Sequence, residues 1–343
     1  MAARPVTTVA DVHRSAVQPV GLAAEARRAS QTILDTGGEP HYRHEMARST
    51  VGFVGLGVMG LPMARNLARQ VSVVGFDVSE ERRAAASAGS PPIDVEESLS
   101  AVAYETVFLS LPSSHIVADV VAGPNGLASF MHRGSVVVDT STTEPGTSRS
   151  VAAALAERGI GFLDAPVSGG EQGAIDATLS FMVGGEVHAF DRVRPLLEAM
   201  GSSVVHVGDV GAGEVAKLVN NLIVGITFAA VAEGFSLGAK SGIDPAELYK
   251  AIRGGWAGSK VLEVAASAML EKDFSPGGTV DIHWKDFGYA LSLAKEQDVP
   301  TPMTALAHEV FKAARAAGQG GLSQPSVVKL WEHLPGIDVS NPG

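Results

Sequence analysis

The residues best suited to carry out chemistry in this sequence are Lys217 and Asn221, which lie four positions apart in an otherwise apolar segment. This spacing places both side chains on one face of a helix. Burial would lower the pKa of Lys217 towards neutrality, which suits a general acid or base acting on an alcohol or carbonyl oxygen. Asn221 could then hold the lysine or a substrate by hydrogen bonds. A solvated lysine near a helix start is the alternative interpretation.

A glycine-rich segment with the spacing GxGxxG follows the first apolar run. It consists of Gly55, Leu56, Gly57, Val58, Met59 and Gly60. Between a strand and a helix, such glycines permit a tight turn and let the backbone approach a pyrophosphate at the helix N-terminus. An ordinary glycine turn would look the same, so the segment alone does not decide between the two.

Asp77 strengthens the dinucleotide interpretation, because it ends the next apolar run at the ~20-residue distance typical of this motif. A carboxylate there accepts hydrogen bonds from the ribose hydroxyls and repels a 2′-phosphate. The pattern therefore favours NAD(H) over NADP(H), with a simple turn cap as the alternative role for Asp77.

Three further loops follow predicted strands at the edge where open α/β sheets bind ligands. Residues 111–114 and 139–142 are also compatible with plain turns that cap helices. The third loop ends in Ser168, Gly169 and Gly170. Its successive backbone N–H groups could form a concavity for a carboxylate, although a glycine-rich loop without a ligand fits equally well.

The elements that must position these residues change character along the chain. Apolar runs near 51–54, 71–76, 106–111 and 135–139 alternate with segments long enough for crossover helices, and further strands are expected near 179–183 and 204–207. From Gly213 to about Lys240 apolar residues recur at helical spacing, and helical patterns follow. The predicted fold class is an α/β Rossmann-type doubly wound sheet followed by an all-α C-terminal domain joined by a long helix.

These patterns predict a domain organisation. Residues 50–211 form the dinucleotide-binding domain, residues 212–337 an all-helical substrate and dimerisation domain, and residues 338–343 a tail. Residues 1–49 lack a sustained apolar period and are expected to form a poorly ordered extension; translation from Met46 is an alternative. Because two copies could bury the long apolar helix against each other, we expect a homodimer or homotetramer.

Composition excludes several classes of function. The 343 residues carry 26 Lys and Arg against 37 Asp and Glu, a net charge of −11, which disfavours nucleic acid and anionic membranes as partners. The absence of cysteine excludes disulfides and thiol catalysis, and the ten histidines show no HxxxH-type spacing, so no metal is expected. The uncharged interval between Lys217 and Glu233 is too short for a membrane span. We expect a cytoplasmic protein that binds a small anionic ligand.

Taken together, the motifs resemble those of the β-hydroxyacid dehydrogenases. GFVGLGVMGLPMARNL, DAPVSGG, FMVGG, GAGEVAKLVNN and HWKDFGYAL occur in the order typical of that family, from Val51 to about Ile337. The resemblance implies hydride transfer between a nicotinamide and the carbon that bears the hydroxyl or aldehyde, with Lys217 as the catalytic lysine. It implies that Ser168, Gly169 and Gly170 hold the substrate carboxylate, that Asn221 positions the substrate, that Lys285 lies near substrate and nicotinamide, and that Leu111, Pro112 and Thr142 contact the cofactor.

The substrate is predicted less directly. Residues 254–259 and 274–278 are more similar to the tartronate semialdehyde reductases, whereas 302–304 and 327–337 resemble the 2-(hydroxymethyl)glutarate dehydrogenases. The 3-hydroxyisobutyrate dehydrogenases usually carry a serine-rich segment at 254–259 and rank lower. The preferred prediction is an NAD(H)-dependent 2-hydroxy-3-oxopropionate (tartronate semialdehyde) reductase. Trp256 would either line the substrate pocket or pack between helices.

Other functions on the same scaffold are less consistent with these residues. Imine reductases generally lack a lysine where Lys217 stands, and a 6-phosphogluconate dehydrogenase would need a larger helical domain. A non-catalytic dinucleotide-binding module is the most distant alternative, and the presence of Lys217 with Asn221 disfavours it.

Overall fold

The structure is a computed structural model that describes residues 49–340. The predicted extension therefore lies outside the described residues except for Ser49, as do the alternative start at Met46 and the last three residues of the predicted tail.

The described chain begins with an α/β region built on one nine-stranded sheet. The strands are β1 (Thr50–Val54), β2 (Ser72–Phe76), β3 (Asp94–Val95), β4 (Thr106–Leu109), β5 (Val136–Asp139), β6 (Gly161–Asp164), β7 (Val167–Ser168), β8 (Leu179–Gly185) and β9 (Gly201–Gly208). Their order is β3-β2-β1-β4-β5-β6-β8-β7, with β9 paired to β8. The first six strands run parallel, and the order reverses beside β1. This arrangement confirms the predicted doubly wound sheet.

Helices and short turns connect these strands. They are α1 (Gly60–Leu67), α2 (Glu80–Ala88), α3 (Ser114–Ala122), α4 (Pro145–Ala156), α5 (Gly170–Ile175) and α6 (Val187–Glu198), with 3₁₀ turns at Leu99–Val102 and Leu127–Ser129. The buried strands β4 and β5 are almost entirely apolar, as expected for parallel strands covered on both faces.

The second region is helical, as predicted. Its helices are α7 (Ala212–Lys240), α8 (Pro245–Ile252), α9 (Lys260–Glu271), α10 (Val280–Glu296), α11 (Pro302–Ala316) and α12 (Lys329–Glu332), with a 3₁₀ turn at Gln324–Val328. Asp244 caps α8 by accepting a 3.0 Å hydrogen bond from Glu247 N, and Pro245 occupies its first position. Helix α10 begins earlier than the predicted Asp286, because the Thr279 hydroxyl caps it by accepting from Ile282 N.

Helix α7 links the sheet to the helical core. Its N-terminal end lies against β6 and β8, and the remainder packs on α9, α10 and the last 3₁₀ turn. Close approach to the sheet requires Gly213, because an added Cβ would lie 2.4 Å from Met182 O and 2.5 Å from Asp164 O. Gly213 therefore fixes the point at which α7, with its polar residues, contacts the sheet.

By length and composition alone, α7 could cross a membrane, since its 29 residues include an 18-residue window of mean hydropathy 1.8. The uncharged interval between Lys217 and Glu233, on which the expectation of no membrane span rested, is shorter than the helix, which continues through charged residues at both ends. Only 28% of the window is buried, so the helix leaves an apolar face uncovered in the single chain.

Candidate active site

The glycine-rich loop has the shape that a dinucleotide phosphate requires. An added Cβ at Gly55 would lie 2.2 Å from Ser110 O, and one at Gly60 would lie 1.9 Å from Gly55 O, so both positions need glycine for the tight strand-to-helix turn. At Gly57 the nearest atom would be Arg82 Nη1 at 3.7 Å, which leaves the backbone open to a ligand. Leu56, Val58 and Met59 complete the turn into α1. These residues fit the pyrophosphate of a dinucleotide.

Asp77 lies at the end of β2 beside this loop. Its buried carboxylate accepts 2.8 Å hydrogen bonds from Leu56 N at Oδ2 and from Ser79 N at Oδ1. It therefore caps a turn and also fixes the glycine loop. Oδ1 keeps a second lone pair for a ribose hydroxyl, whereas Oδ2 also accepts from Arg82 Nη1. Arg82 Nη1 lies 3.5 Å from Asp77 Oδ2, so a positive charge that the sequence interpretation did not consider stands beside the carboxylate.

Lys285 brings together the two loops predicted to contact the cofactor. Its Nζ donates to Pro112 O at 3.4 Å and to Thr142 O at 3.2 Å, and it lies 3.3 Å from Asp286 Oδ1. Leu111 N donates to the Ser141 hydroxyl at 2.8 Å, which joins the same loops a second time. The helical region thus holds the loops after β4 and β5 in a fixed relation.

The loop predicted to bind a carboxylate connects β7 to α5. Ser168 ends β7 and pairs with Ser180 of β8. Gly169 and Gly170 follow with φ of 137° and 66°. An added Cβ at Gly170 would meet no atom within 4 Å, so space is open on that side of the loop.

Lys217 lies in the second turn of α7, just beyond the point where Asp164 caps the helix. Asp164 accepts from Gly211 N at 2.7 Å and from Glu214 N at 3.0 Å. The Lys217 side chain is partly buried, and its Nζ makes no hydrogen bond or ion pair within residues 49–340. Burial lowers the pKa of Lys217, and the carboxylate of Asp286 opposes this shift. The amine is thus free to engage a ligand.

Asn221 is held by residues that sequence reasoning missed. Its side-chain Nδ2 donates a 2.6 Å hydrogen bond to Asp286 Oδ2. Its backbone carbonyl oxygen accepts from His283 Nε2 at 2.9 Å. Gln324 Nε2 lies 2.7 Å from His283 Nδ1, and burial lowers the pKa of His283. The sequence signal that could have identified Asp286 was its position directly after Lys285.

A second set of missed residues is a cluster of buried carboxyl groups beneath Lys217. The cluster comprises Asp139 at the end of β5, Asp164 at the end of β6 and Glu214 in the first turn of α7. Burial raises the pKa of all three, that of Asp139 to about 6. The sequence signal that could have identified Glu214 was a single acidic residue in the otherwise apolar first turn of α7.

The predicted site residues therefore divide into two groups along one edge of the sheet. Asp77 stands at the end of β2, whereas Lys217 stands near β6, four strands away in the sheet order. At about 4.8 Å per strand this separation is roughly 19 Å, a distance that suits an extended dinucleotide. Trp256 is fully exposed in the single chain, so the expectation that it packs between helices was wrong.

Comparison with known proteins agrees with this geometry. Residues 50–208 match the family profile described as the NAD binding domain of 6-phosphogluconate dehydrogenase, and residues 211–331 match that described as NAD-binding of NADP-dependent 3-hydroxyisobutyrate dehydrogenase. The chain is 40% identical to 2-(hydroxymethyl)glutarate dehydrogenase of Eubacterium barkeri, over 84% of this chain and 97% of the relative. It is 37% identical to 2-hydroxy-3-oxopropionate reductase of Escherichia coli (strain K12), over 82% and 97%.

A solved structure is similar along the same stretch. The crystal structure of 3-hydroxyisobutyrate dehydrogenase from Salmonella typhimurium superposes with a TM-score of 0.75 at 31% identity and covers 82% of this chain and 99% of that one. The first family profile covers the glycine loop and the second covers the long helix. The chain therefore belongs to the β-hydroxyacid dehydrogenase family of NAD-dependent oxidoreductases.

Proposed function

We propose that this protein interconverts a 3-hydroxy carboxylate and its semialdehyde, with 2-hydroxy-3-oxopropionate (tartronate semialdehyde) as the preferred substrate. The observation that carries the proposal is the state of Lys217, a partly buried amine without an ion-pair partner in the described chain and with a lowered pKa, at the end of the sheet where ligands bind.

The residues divide the work of the reaction. The nicotinamide, when bound, supplies or accepts the hydride. In the reductive direction the Lys217 ammonium donates a proton to the aldehyde oxygen as the hydride reaches the carbon, and in the oxidative direction the neutral amine accepts the hydroxyl proton. Ser168 and the backbone N–H groups of Gly169 and Gly170 would hold the substrate carboxylate, and Asn221 would orient the substrate. Lys285 holds the loops that flank the nicotinamide.

The preference for tartronate semialdehyde rests on the segment Gly254–Ser259, which resembles that of the reductases for this substrate. 2-(Hydroxymethyl)glutarate is the second candidate, because the relative with that activity is 40% identical to this chain. The two substrates differ in the substituent on C2: the first carries a hydroxyl group, which needs a hydrogen-bonding partner, whereas the second carries a chain that ends in a second carboxylate, which needs a further cationic subsite. 3-Hydroxyisobutyrate is the third candidate, supported by the structural similarity.

A substrate panel tests this proposal. Tartronate semialdehyde and methylmalonate semialdehyde in the reductive direction, and 2-(hydroxymethyl)glutarate and 3-hydroxyisobutyrate in the oxidative direction, are followed at 340 nm with each nicotinamide cofactor. We expect the highest kcat/KM with tartronate semialdehyde and NADH. A higher kcat/KM for 2-(hydroxymethyl)glutarate would replace the substrate assignment, and NADH binding without turnover of any compound would indicate a non-catalytic dinucleotide-binding protein.

We further propose that two copies pair along α7. Val219, Ile223 and Leu237 on this helix are 46%, 57% and 69% exposed, an uncovered apolar surface that a second copy would bury. Light scattering should give at least twice the mass of one chain, and Ile223→Glu should lower it. A wild-type protein that is monomeric at micromolar concentration would contradict the pairing.

A further inference from the structure

We propose that Glu214 is a positioning residue for the reaction, which ties the first turn of the lysine-bearing helix to the cofactor-contacting loop through an uncharged carboxyl group. This inference rests on the proposed role of Lys217. It assigns a task to a buried acid that the hydride-transfer scheme does not use.

The first step of the argument is the contact that Glu214 makes. Its side chain is fully buried, and Oε1 accepts a 2.9 Å hydrogen bond from the Thr143 hydroxyl, which lies 3.1 Å from the Ser148 hydroxyl. Thr143 directly follows Thr142, whose carbonyl oxygen accepts from Lys285. Glu214 therefore connects α7 to the β5–α4 loop at the residue next to a predicted cofactor contact.

The second step is the position of Glu214 relative to Lys217. The two residues are three apart in α7, so their side chains lie on one face, one helical turn from each other. A side chain that fixes the first turn against the loop also fixes the path of the next turn. Because hydride and proton transfer require near-attack geometry, a displacement of about 1 Å at such a site can lower the rate by ~10²-fold.

The third step is the charge of the cluster. Asp164 accepts two backbone N–H groups at the N-terminus of α7, an arrangement that stabilises a carboxylate. The Glu214 carboxyl group has only Thr143 as a donor; its Oε2 and Asp139 Oδ2 are buried and have no hydrogen-bond partner among the described residues. A second buried charge there would be unfavourable, so Glu214 keeps its proton.

The two neighbouring acids support this assignment. The repulsion of Asp139 and Asp164 adds to burial in raising the pKa of Glu214 well above its ordinary value. The neighbouring elements carry three further titratable or charged groups. Arg149 of α4 lies beside Gly211, His206 of β9 forms a hydrogen bond with Gly185 O, and the charge of Lys285 on α10 lowers the pKa of Asp139. Strand β8 carries no titratable side chain.

An uncharged Glu214 also matters for the lysine. A carboxylate one turn away would raise the pKa of Lys217. The neutral acid connects α7 to the β5–α4 loop without raising the pKa of Lys217. The lysine amine therefore stays available to the substrate oxygen.

Three single variants, and the double variant that combines Glu214→Ala with Thr143→Val, test the proposal in the full-length protein. Glu214→Gln keeps an acceptor for Thr143 without a charge, Glu214→Ala removes the tie, and Thr143→Val removes its other end in case the alanine variant does not fold. The matched control is Ser236→Ala, which removes a buried hydroxyl of the same helix that bonds only to Ala232 O. The readouts are kcat, KM, their pH profiles, NADH affinity by fluorescence and thermal unfolding.

We expect Glu214→Ala and Thr143→Val to lower kcat by about tenfold or more with KM and NADH affinity within about threefold, and the double variant to lose no more than Glu214→Ala. Glu214→Gln should keep kcat within about threefold, with the pH midpoint of kcat unmoved. Ser236→Ala should keep the wild-type kcat. Wild-type kcat in Glu214→Ala would overturn the proposal, and so would a shift of the midpoint to lower pH in Glu214→Gln, which would mean that Glu214 acts as a carboxylate.

Unfolding gives a readout independent of turnover. A group whose pKa is raised in the folded state stabilises below its unfolded pKa and loses that stability as pH rises through its folded pKa. The wild-type melting temperature should therefore fall as pH rises through about 6, where Asp139 ionises, and continue to fall as Glu214 ionises. Glu214→Gln should flatten this decline. An unchanged decline would contradict the assignment of an uncharged Glu214 in the folded protein. A Lys217→Ala variant with normal turnover would instead refute the proposed function.

Discussion

The Asn221 amide donates a 2.6 Å hydrogen bond to Asp286 Oδ2, while the other oxygen of Asp286 lies 3.3 Å from Lys285 Nζ. One buried carboxylate therefore holds both the residue one turn beyond Lys217 in α7 and the lysine that fastens the loops after β4 and β5. Because Asp286 is only 2% exposed, its charge is balanced by these partners and not by water. The relative placement of helix and loops depends on this carboxylate.

Replacing this carboxylate should disturb both geometry and titration. Asp286→Asn removes the charge that opposes the lowered pKa of Lys217, so that pKa should fall further. Since the reductive direction needs the ammonium form, the pH at which kcat is half-maximal should move to lower pH. We also expect kcat to fall about tenfold or more from misplacement. A pH series of kcat with the semialdehyde and NADH measures both.

Glu309→Gln is the matched control for the Asp286 variant. It also neutralises one acid of the helical region, but Glu309 is exposed and makes a surface pair with Lys312 worth about 0–1 kcal/mol. Its kcat and pH midpoint should equal those of the wild type. Equal midpoints in Asp286→Asn and the wild type would contradict the electrostatic coupling to Lys217.

Removal of the Lys217 amine should abolish proton transfer and spare cofactor binding. Lys217→Ala should lower kcat by about 10²–10⁴-fold, the contribution typical of a positioned general acid or base. NADH affinity should stay within about threefold, because Asp77 and the glycine loop lie at the other end of the extended site. Stopped-flow turnover and fluorescence titration separate the two effects. Near-normal turnover would refute the assigned role.

Much of the fold was predictable because its signals are local. Valine-rich runs, the GxGxxG turn and the Asp244–Pro245 helix start each act within a few residues. The contacts between the site residues and their partners were not predictable, since they join positions that are distant in sequence. Asn221 meets Asp286 across 65 positions and Thr143 meets Glu214 across 71. No periodicity reports such contacts, and the burial that shifts the pKa of Glu214 is a property of the packed fold.

The balance between Asp77 and Arg82 should set the cofactor preference. Asp77 should accept hydrogen bonds from the ribose of NADH, worth about 1.5–3 kcal/mol for a charged acceptor, or roughly ten- to 100-fold in Kd. Asp77→Asn should therefore weaken NADH and lower the ratio of NADPH to NADH dissociation constants. Arg82→Ala should weaken NADPH more than NADH, because the 57% exposed guanidinium can reach a 2′-phosphate.

Fluorescence titration with both reduced cofactors measures these ratios. Arg69→Ala, which removes another exposed arginine of the α/β region, is the control and should change neither dissociation constant. An Arg82→Ala protein with an unaltered ratio would show that the guanidinium does not contribute to the discrimination, and the preference would then rest on Asp77 alone.

Two glycines of the long helix should respond in opposite directions to the same substitution. An added Cβ at Gly213 would lie 2.4 Å from Met182 O and 2.9 Å from Asp164 Oδ2, so α7 must move away from the sheet. Gly213→Ala should cost about 1–3 kcal/mol of unfolding free energy and displace Lys217 four residues on, lowering kcat. Gly234 meets no atom within 4 Å, so Gly234→Ala should gain about 0.5–1 kcal/mol in unfolding free energy from helix propensity. Denaturant unfolding of both variants measures the difference, and similar stability would contradict the close approach of α7 to β6 and β8.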